Sequence, residues 1–315
     1  MGGAESRNSS DEINITVCSN EKIHRTELLI MHIAALSDLH GIRVRYEKAR
    51  RLFDQGIGML LLGGDIAQNG SPEFQPGNVR ACLEILLSGK RDARVFAIPG
   101  NDDWKIVEEA LREFPEITVP MDGAYSLDDS FSIIGYPCVP ITPFLFKDYE
   151  KWDDDRYPEL PADTAAPESA MIAHPLNLEG YRTRGLERYE FCFDPGDRED
   201  NISSDMKKLT GLSAPQRTVY LFHCPPHGYF DFGIGIGTEG HIHIGSRSIT
   251  EFIRRNDPWL TIHGHSHEAV SVMKGEFTFC IGRSVGAAVG AGNDPAVLNG
   301  VLIDVASRSL RRITL

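Results

Sequence analysis

Residues 33–41 read IAALSDLHG: an apolar run long enough for one buried strand, broken by Asp38 and His40 just before a glycine. A turn needs the glycine and little else, yet this run ends on a carboxylate and an imidazole. The same ending recurs four times. MLLLGGD (59–65) stops at Asp65, VFAIPGND (95–102) at Asn101 and Asp102, VYLFHC (219–224) at His223, and LTIHGHSH (260–267) at His263, His265 and His267. Strand patterns near 29–37, 58–62 and 94–98 alternate with helical spacing near 43–55, 76–89 and 103–113, as βαβ units and a largely parallel sheet require. Ligands of open α/β sheets bind outside the carboxyl ends of the strands, so these five termini are expected to face one crevice.

Each residue has a bland reading of its own: Asp38 as a turn residue, Asp65 as a helix cap, His223 as a packed histidine. Five strand ends carrying Asp, His, Asp, Asn, His, His and His, with no comparable Ser or Cys nucleophile arrangement, are not five independent accidents. Carboxylate, imidazole and amide oxygen together suit Mn, Fe or Zn, whereas an all-oxygen cage would suit calcium and thiolates structural zinc.

The order D-x-H, GD, GN, H, G-H-x-H resembles the calcineurin-like metallophosphoesterase superfamily, from about Ile33 to the end of the chain apart from 137–215. The resemblance implies a four-layer α/β/β/α sandwich of two mixed sheets and two divalent metal ions (Mn, Fe or Zn). Asp38, His40 and His267 would hold the first ion, Asn101, His223 and His265 the second, and Asp65 would bridge them. It also implies hydrolysis of a phosphate ester by metal-activated water, with Asn101 at the substrate as well. In that family the GN block continues with a histidine that assists the leaving oxygen; here GNDD puts Asp102 in its place. A carboxyl beside two cations is drawn toward its ionised form. Activated or aryl phosphodiesters are therefore expected to turn over better than alkyl phosphomonoesters. The alternatives are a phosphomonoesterase, or a non-catalytic metal-binding scaffold with the long insert as a partner surface.

Local geometry is expected to help. Positions two apart on an extended strand end point the same way, so Asp38 and His40 could share one ion, and His265 and His267 could take one each. Gly63, Gly64 and Gly100 would let backbone approach the ions. A second G-H-x-H, His241 and His243 in GHIHIGS, follows a Gly-rich loop rather than a strand, so the later motif is read as the ligand pair. His243 is expected to line the substrate pocket or support a ligand. His263 reads as a core or supporting histidine, His24 and His32 as structural, and His227 and His174 stay unassigned.

Elsewhere, AYSLD and FSIIGY read as a hairpin, and 137–215, rich in Pro, Asp and Glu, as an inserted cap or loop region with a short helix or two. A Gly-rich loop (233–245) and a helix near 246–255 follow. AVSVMKG, EFTFCIG, NGVLIDV and SLRRITL read as antiparallel strands, making the second sheet mostly antiparallel. Residues 1–27 are expected to be a flexible extension before a domain spanning 28–315. MGGAES fits a loose myristoylation pattern, and the sequons at Asn8, Asn14 and Asn201 are read as chance. A net charge of −13 argues against nucleic acid or an anionic membrane as partner, and so against a nuclease. A small phosphorylated substrate is expected instead. Six scattered cysteines and no run of roughly 20 apolar residues point to a reduced, cytoplasmic protein.

Overall fold

The computed structural model describes residues 16–17, 33–88, 92–155, 176–234 and 241–315. The strands Ile33–Leu36, Met59–Gly63, Arg94–Ile98 and Ile117–Thr118 lie parallel in one sheet. Asn299–Asp304 adds antiparallel to Ile33–Leu36, then Ser309–Thr314 and Thr16–Val17 follow. Alternation along each strand assigns its two faces. Ala34, Leu36, Leu60, Leu62, Val95 and Ala97 pack outward with Tyr46, Leu52, Val79, Leu83 and Leu111 of the helices Arg43–Asp54, Gln75–Leu87 and Ile106–Arg112. Ala35, Leu61, Phe96 and Ile98 face inward, into a core shared with the second sheet.

That second sheet runs Tyr125–Ser126, Ser132–Tyr136, Thr218–Phe222, Leu260–His263, Ser284–Ala288, Thr278–Ile281. Its outer face carries the helices Ile202–Thr210 and Arg247–Asn256, with Ile202, Met206, Leu209, Ile249, Phe252 and Ile253 packed against it in the same contiguous hydrophobic cluster. Both helices start on a side-chain cap: Asn201 accepts from Ser204 N–H and Ser246 from Ile249 N–H. The architecture is the four-layer α/β/β/α sandwich of two mixed sheets.

Several expectations change. The second sheet is parallel through its centre, not mostly antiparallel, because Ser132–Tyr136, Thr218–Phe222, Leu260–His263 and Ser284–Ala288 all run the same way. AVSVMKG supplies the short helix Ala269–Val272 instead of a strand, and Ser284–Ala288 is a further strand beyond those expected. The stretch 137–215 is not uniformly an appendage. Its hairpin Glu179–Arg184/Glu187–Cys192 is largely exposed and Ile141, Trp152 and Phe193 form a small core of their own, but Ile202–Thr210 belongs to the sandwich. A buried ion pair, Lys147 Nζ to Glu150 at 2.7 Å, sits inside this stretch. The amide of Asn201 is spent on its helix cap and on Arg198 O. Of the extension, only Thr16–Val17 is described, as an edge strand; the rest of it, with His24 and His32, and His174 of the insert lie outside the described residues.

Strand register brings the ends together. Leu36 pairs with Leu62, Gly63 with Ile98, and Phe222 with His263. The residues just beyond those pairs are the polar ones.

Candidate metal centre

The loops after the first two strands continue to bond to each other once the strands stop. Asp38 N–H donates to Gly64 O (3.0 Å), His40 N–H to Asp65 O (2.8 Å) and Gly41 N–H to Ile66 O (2.8 Å). Along this zip Asp38, His40 and Asp65 hold φ of 60°, 48° and 51°, and His265 on the other sheet holds 66°. The left-handed region costs a non-glycine residue roughly 1–2 kcal/mol, so four such residues in one place are strain stored at a site. This corrects the expected geometry: the side chains converge because the backbone turns left-handed, not because an extended strand alternates.

Two groups of donor atoms result. Asp38, His40, Asp65 and His267 each offer one atom within 4.8 Å of the others, and so do Asp65, His223 and His265. Asp65 belongs to both. Nε2 of His40 and Nε2 of His267 stand 3.0 Å apart; His267 Nε2 lies 3.6 Å from Asp38 Oδ1, and His40 Nε2 4.0 Å from Asp65 Oδ2. In the second group His223 Nε2 lies 2.9 Å from Asn101 Oδ1 and 3.4 Å from Asp65 Oδ2, and the His223 and His265 rings are 5.2 Å apart.

These arrangements fit cations. Nδ1 of His223 faces Gly63 O at 2.8 Å, and a carbonyl only accepts, so Nδ1 carries a hydrogen, and whenever the ring is neutral Nε2 presents a lone pair. That lone pair points at two more acceptors, Asn101 Oδ1 and Asp65 Oδ2, and three lone pairs aimed at one region need a positive centre between them. Oδ2 of Asp38 is buried without any hydrogen-bond partner. Arg45 is fully buried nearby but spends itself on backbone: Nη1 on Asp38 O (2.7 Å), Nη2 on Gly292 O and Asp294 O. In the protein's own electrostatics the imidazoles substitute for the missing charge. Burial acts to lower the His223 pKa, yet Asp65 and then Asp38 raise it to about 9; His267, likewise desolvated, is raised to about 9 by Asp38. Burial acts to raise Asp65, but His223 and His40 hold it well below the usual carboxylate range. His265, desolvated and beside His223, falls to about 3 and is a neutral ligand type.

Two glycines make room for candidate ligand side chains. A Cβ on Gly64 would come within 2.3 Å of His223 Nδ1, and one on Gly100 within 2.3 Å of Asp65 Oδ1. Gly63 faces only Ser37 and Leu36 O.

Asp102 and Asp103 divide the surplus polarity of GNDD. Asp102 N–H donates to Asp65 Oδ1 (2.9 Å), and its carboxylate accepts from Asn101 Nδ2 (3.1 Å) and stands 3.9 Å from His40 Nδ1 with a quarter of the side chain exposed. Burial first, then Asp65 and Asp103, pushes this carboxyl up to about 8; cations in the two donor groups would act the other way. Asp103 neither caps a helix nor meets a basic residue. It is fully buried and accepts three backbone N–H groups, from Ile66 (3.0 Å), Ala67 (2.8 Å) and Gly100 (2.8 Å), clamping the GGD loop to the GN loop. The expected helix accordingly begins at Ile106 rather than 103. Gln75 braces the same loop through Asp102 O and Trp104 N–H. The second Asp of GNDD was a legible signal for the clamp; Arg45 and Gln75 had none, being single polar residues in helical stretches.

His263 is a core histidine. Its Nδ1 bonds Cys224 O, its ring stacks 5.4 Å from Phe222, and burial takes its pKa down to about 4. His243 is not among the donors of the two groups; it pairs with Asp231 at 2.8 Å. The side chain of His241 lies outside the described residues. No helix among those residues is long and apolar enough to cross a membrane.

A family model described as calcineurin-like phosphoesterase matches residues 31–269. Among solved structures, TT1561 of Thermus thermophilus aligns with a TM-score of 0.53 at 16% identity, over 90% of this chain and 98% of that one. The phosphopantetheinyl hydrolase PptH of Mycobacterium tuberculosis gives 0.49 at 16% identity, over 83% and 89%, and a dimetal phosphatase from Danio rerio 0.44 at 10%, over 90% and 98%. At such identity the likeness to TT1561 is one of fold and says nothing of substrate. No curated protein matches the sequence.

Proposed function

This chain belongs to the calcineurin-like phosphoesterase family, and from that premise we propose that it is a dinuclear metal-dependent phosphoester hydrolase whose better substrates are phosphodiesters with good leaving groups. The observation that carries the reading is that Asp65 belongs to both groups of donor atoms, as a bridging carboxylate must. Two divalent cations held there would polarise a phosphoryl oxygen and bring the pKa of a coordinated water down to about 7. Asp38, His40 and His267 would hold one, His223, His265 and the Asn101 amide oxygen the other. Their identity, Mn, Fe or Zn, follows only from the donor types.

The remaining chemistry belongs to the chain. Gly63 O fixes the His223 tautomer, so that Nε2 stays a lone pair. Asn101 Nδ2, now donating to Asp102, is a side-chain amide donor that a phosphoryl oxygen would compete for. Asp102 offers an acceptor where an imidazolium would have offered a proton, so the leaving oxygen departs with its own charge. General-acid help is worth about 10²–10⁴ in rate, and its loss weighs least on aryl leaving groups. The acidic chain (net −13) fits a small phosphorylated substrate better than nucleic acid.

The test is turnover by the manganese-reconstituted protein of bis(4-nitrophenyl) phosphate against glycerol phosphate, with Asp65→Asn beside it. The aryl diester should be faster and Asp65→Asn inactive on both. Faster hydrolysis of the alkyl monoester would overturn the substrate preference, and full activity of Asp65→Asn would overturn the bridging role.

A further inference from the structure

Three side chains outside the dinuclear groups meet between the strand Thr218–Phe222 and the helix Arg247–Asn256. His227 follows Pro225 and Pro226, Asp231 comes four residues later, and His243 returns on the short strand His241–His243 that pairs with Phe232–Ile234. One donor atom from each lies within 4.8 Å of the other two. Asp231 is fully buried. Its Oδ2 accepts the N–H groups of Gly228 (3.0 Å) and Gly245 (3.3 Å), and its Oδ1 faces Nδ1 of His243 at 2.8 Å.

A hydrogen-bonded Asp–His pair accounts for His243 but not for His227. Nδ1 of His227 stands 3.5 Å from Asp231 Oδ2, too far and too poorly aligned for a good bond, and its Nε2 is buried with no partner at all. A largely buried imidazole bonded through neither nitrogen gives up about 1–3 kcal/mol per unsatisfied group. A cation facing Nδ1 of both histidines and the buried carboxylate would give His227 Nδ1 a partner and neutralise Asp231 together, leaving the ring hydrogen on Nε2. Two imidazoles and one carboxylate, with a position left for water, suit Zn²⁺ or a similar borderline ion.

We propose that His227, Asp231 and His243 form a third divalent-cation site, separate from the dinuclear centre and structural in role. Arg247 is the charge that opposes a cation here, and Asp231 acts on His227 more strongly than Arg247 does. The site's place gives it a use. Ser266, between His265 and His267, donates its hydroxyl to Phe232 O, so an ion fixing Asp231 and His243 would also fix the hairpin behind the ligand loop.

The experiment measures bound zinc on the full chain, stripped with a chelator and then equilibrated with Zn²⁺. Wild type should retain three equivalents, His227→Ala and His227→Gln two, and Asp65→Asn at least one that the Asp65→Asn/His227→Gln double variant lacks. His227 makes no side-chain hydrogen bond, so its variants should keep the wild-type circular dichroism spectrum. Should wild type stop at two equivalents, or should both His227 variants still hold three, the third site is refuted. Wild type holding a single equivalent that His227→Gln abolishes would support this site while refuting the dinuclear reading, so the two proposals fail separately.

Discussion

Replacing Gly100 by alanine tests how tightly the strand ends are packed around the candidate centre. The added Cβ would lie 2.3 Å from Asp65 Oδ1, 2.5 Å from Asp65 N and 2.7 Å from His223 Cε1, distances that real Cβ atoms do not show. Asp65 cannot swing aside freely, because Oδ1 accepts Asp102 N–H and Oδ2 faces His223. The GN loop cannot retreat freely either, because Gly100 N–H is held by Asp103. Overpacking of this kind costs about 1–3 kcal/mol, and the broken charge-assisted bond about 1.5–3 kcal/mol more. The expected loss is therefore about 2.5–6 kcal/mol, read as a fall in ΔG of unfolding in urea with the slope unchanged. Manganese binding, followed by calorimetry, should weaken in the same variant because the displaced group is the bridging carboxylate. A variant within about 1 kcal/mol of wild type that binds manganese normally would refute the reasoning, being below the overpacking range. Gly77→Ala is the control: it lies in the helix Gln75–Leu87 with nothing within 4 Å of its new Cβ, and should stabilise by up to about 1 kcal/mol.

Asp103→Asn replaces one acceptor oxygen by a donor NH₂, so at least one of its three N–H partners is left facing another donor; unfolding should show a loss of about 2–4 kcal/mol. Arg45→Met removes the brace on Asp38 O, Gly292 O and Asp294 O; it should lower stability by about 2–4 kcal/mol, through buried carbonyls left unpaired, and weaken manganese binding measured by calorimetry. In the 137–215 stretch, Lys147→Met leaves Glu150 buried and uncompensated and should cost about 3–5 kcal/mol in chemical denaturation, whereas Lys147→Met with Glu150→Leu should recover most of it.

Much of the site was legible because strands with a strong apolar pattern end abruptly, and the residues at those ends are of few types. Asp38, His40, Asp65, Asn101, His223, His265 and His267 are drawn together by strand register, and register follows from alternation that the sequence displays: Ala34 and Leu36 one way, Ala35 the other. The left-handed backbone at four of these positions was not legible, since Asp and His carry no Gly-like mark of it; it arises from loop-to-loop hydrogen bonds made only after the sheet has formed. The direction of the second sheet escaped for a related reason. SVGAA is short and small-residue-rich, so Ser284–Ala288 looks like loop until it lies beside Leu260–His263. AVSVMKG has a strand's composition, yet Ala269 and Val270 are buried on a single helical turn, a case of tertiary context overriding propensity. Nothing local marks His227 and His243 as partners, because fifteen residues and a hairpin separate them.

The central claim is that one carboxylate, Asp65, joins two cation sites, each with ligands from both sheets. Anomalous diffraction from crystals of the manganese-soaked protein addresses it most directly. The account predicts two peaks about 3.5–4 Å apart on either side of Asp65, one against His40 and His267 and the other against His223 and His265. A single peak, or none within reach of Asp65, would contradict it.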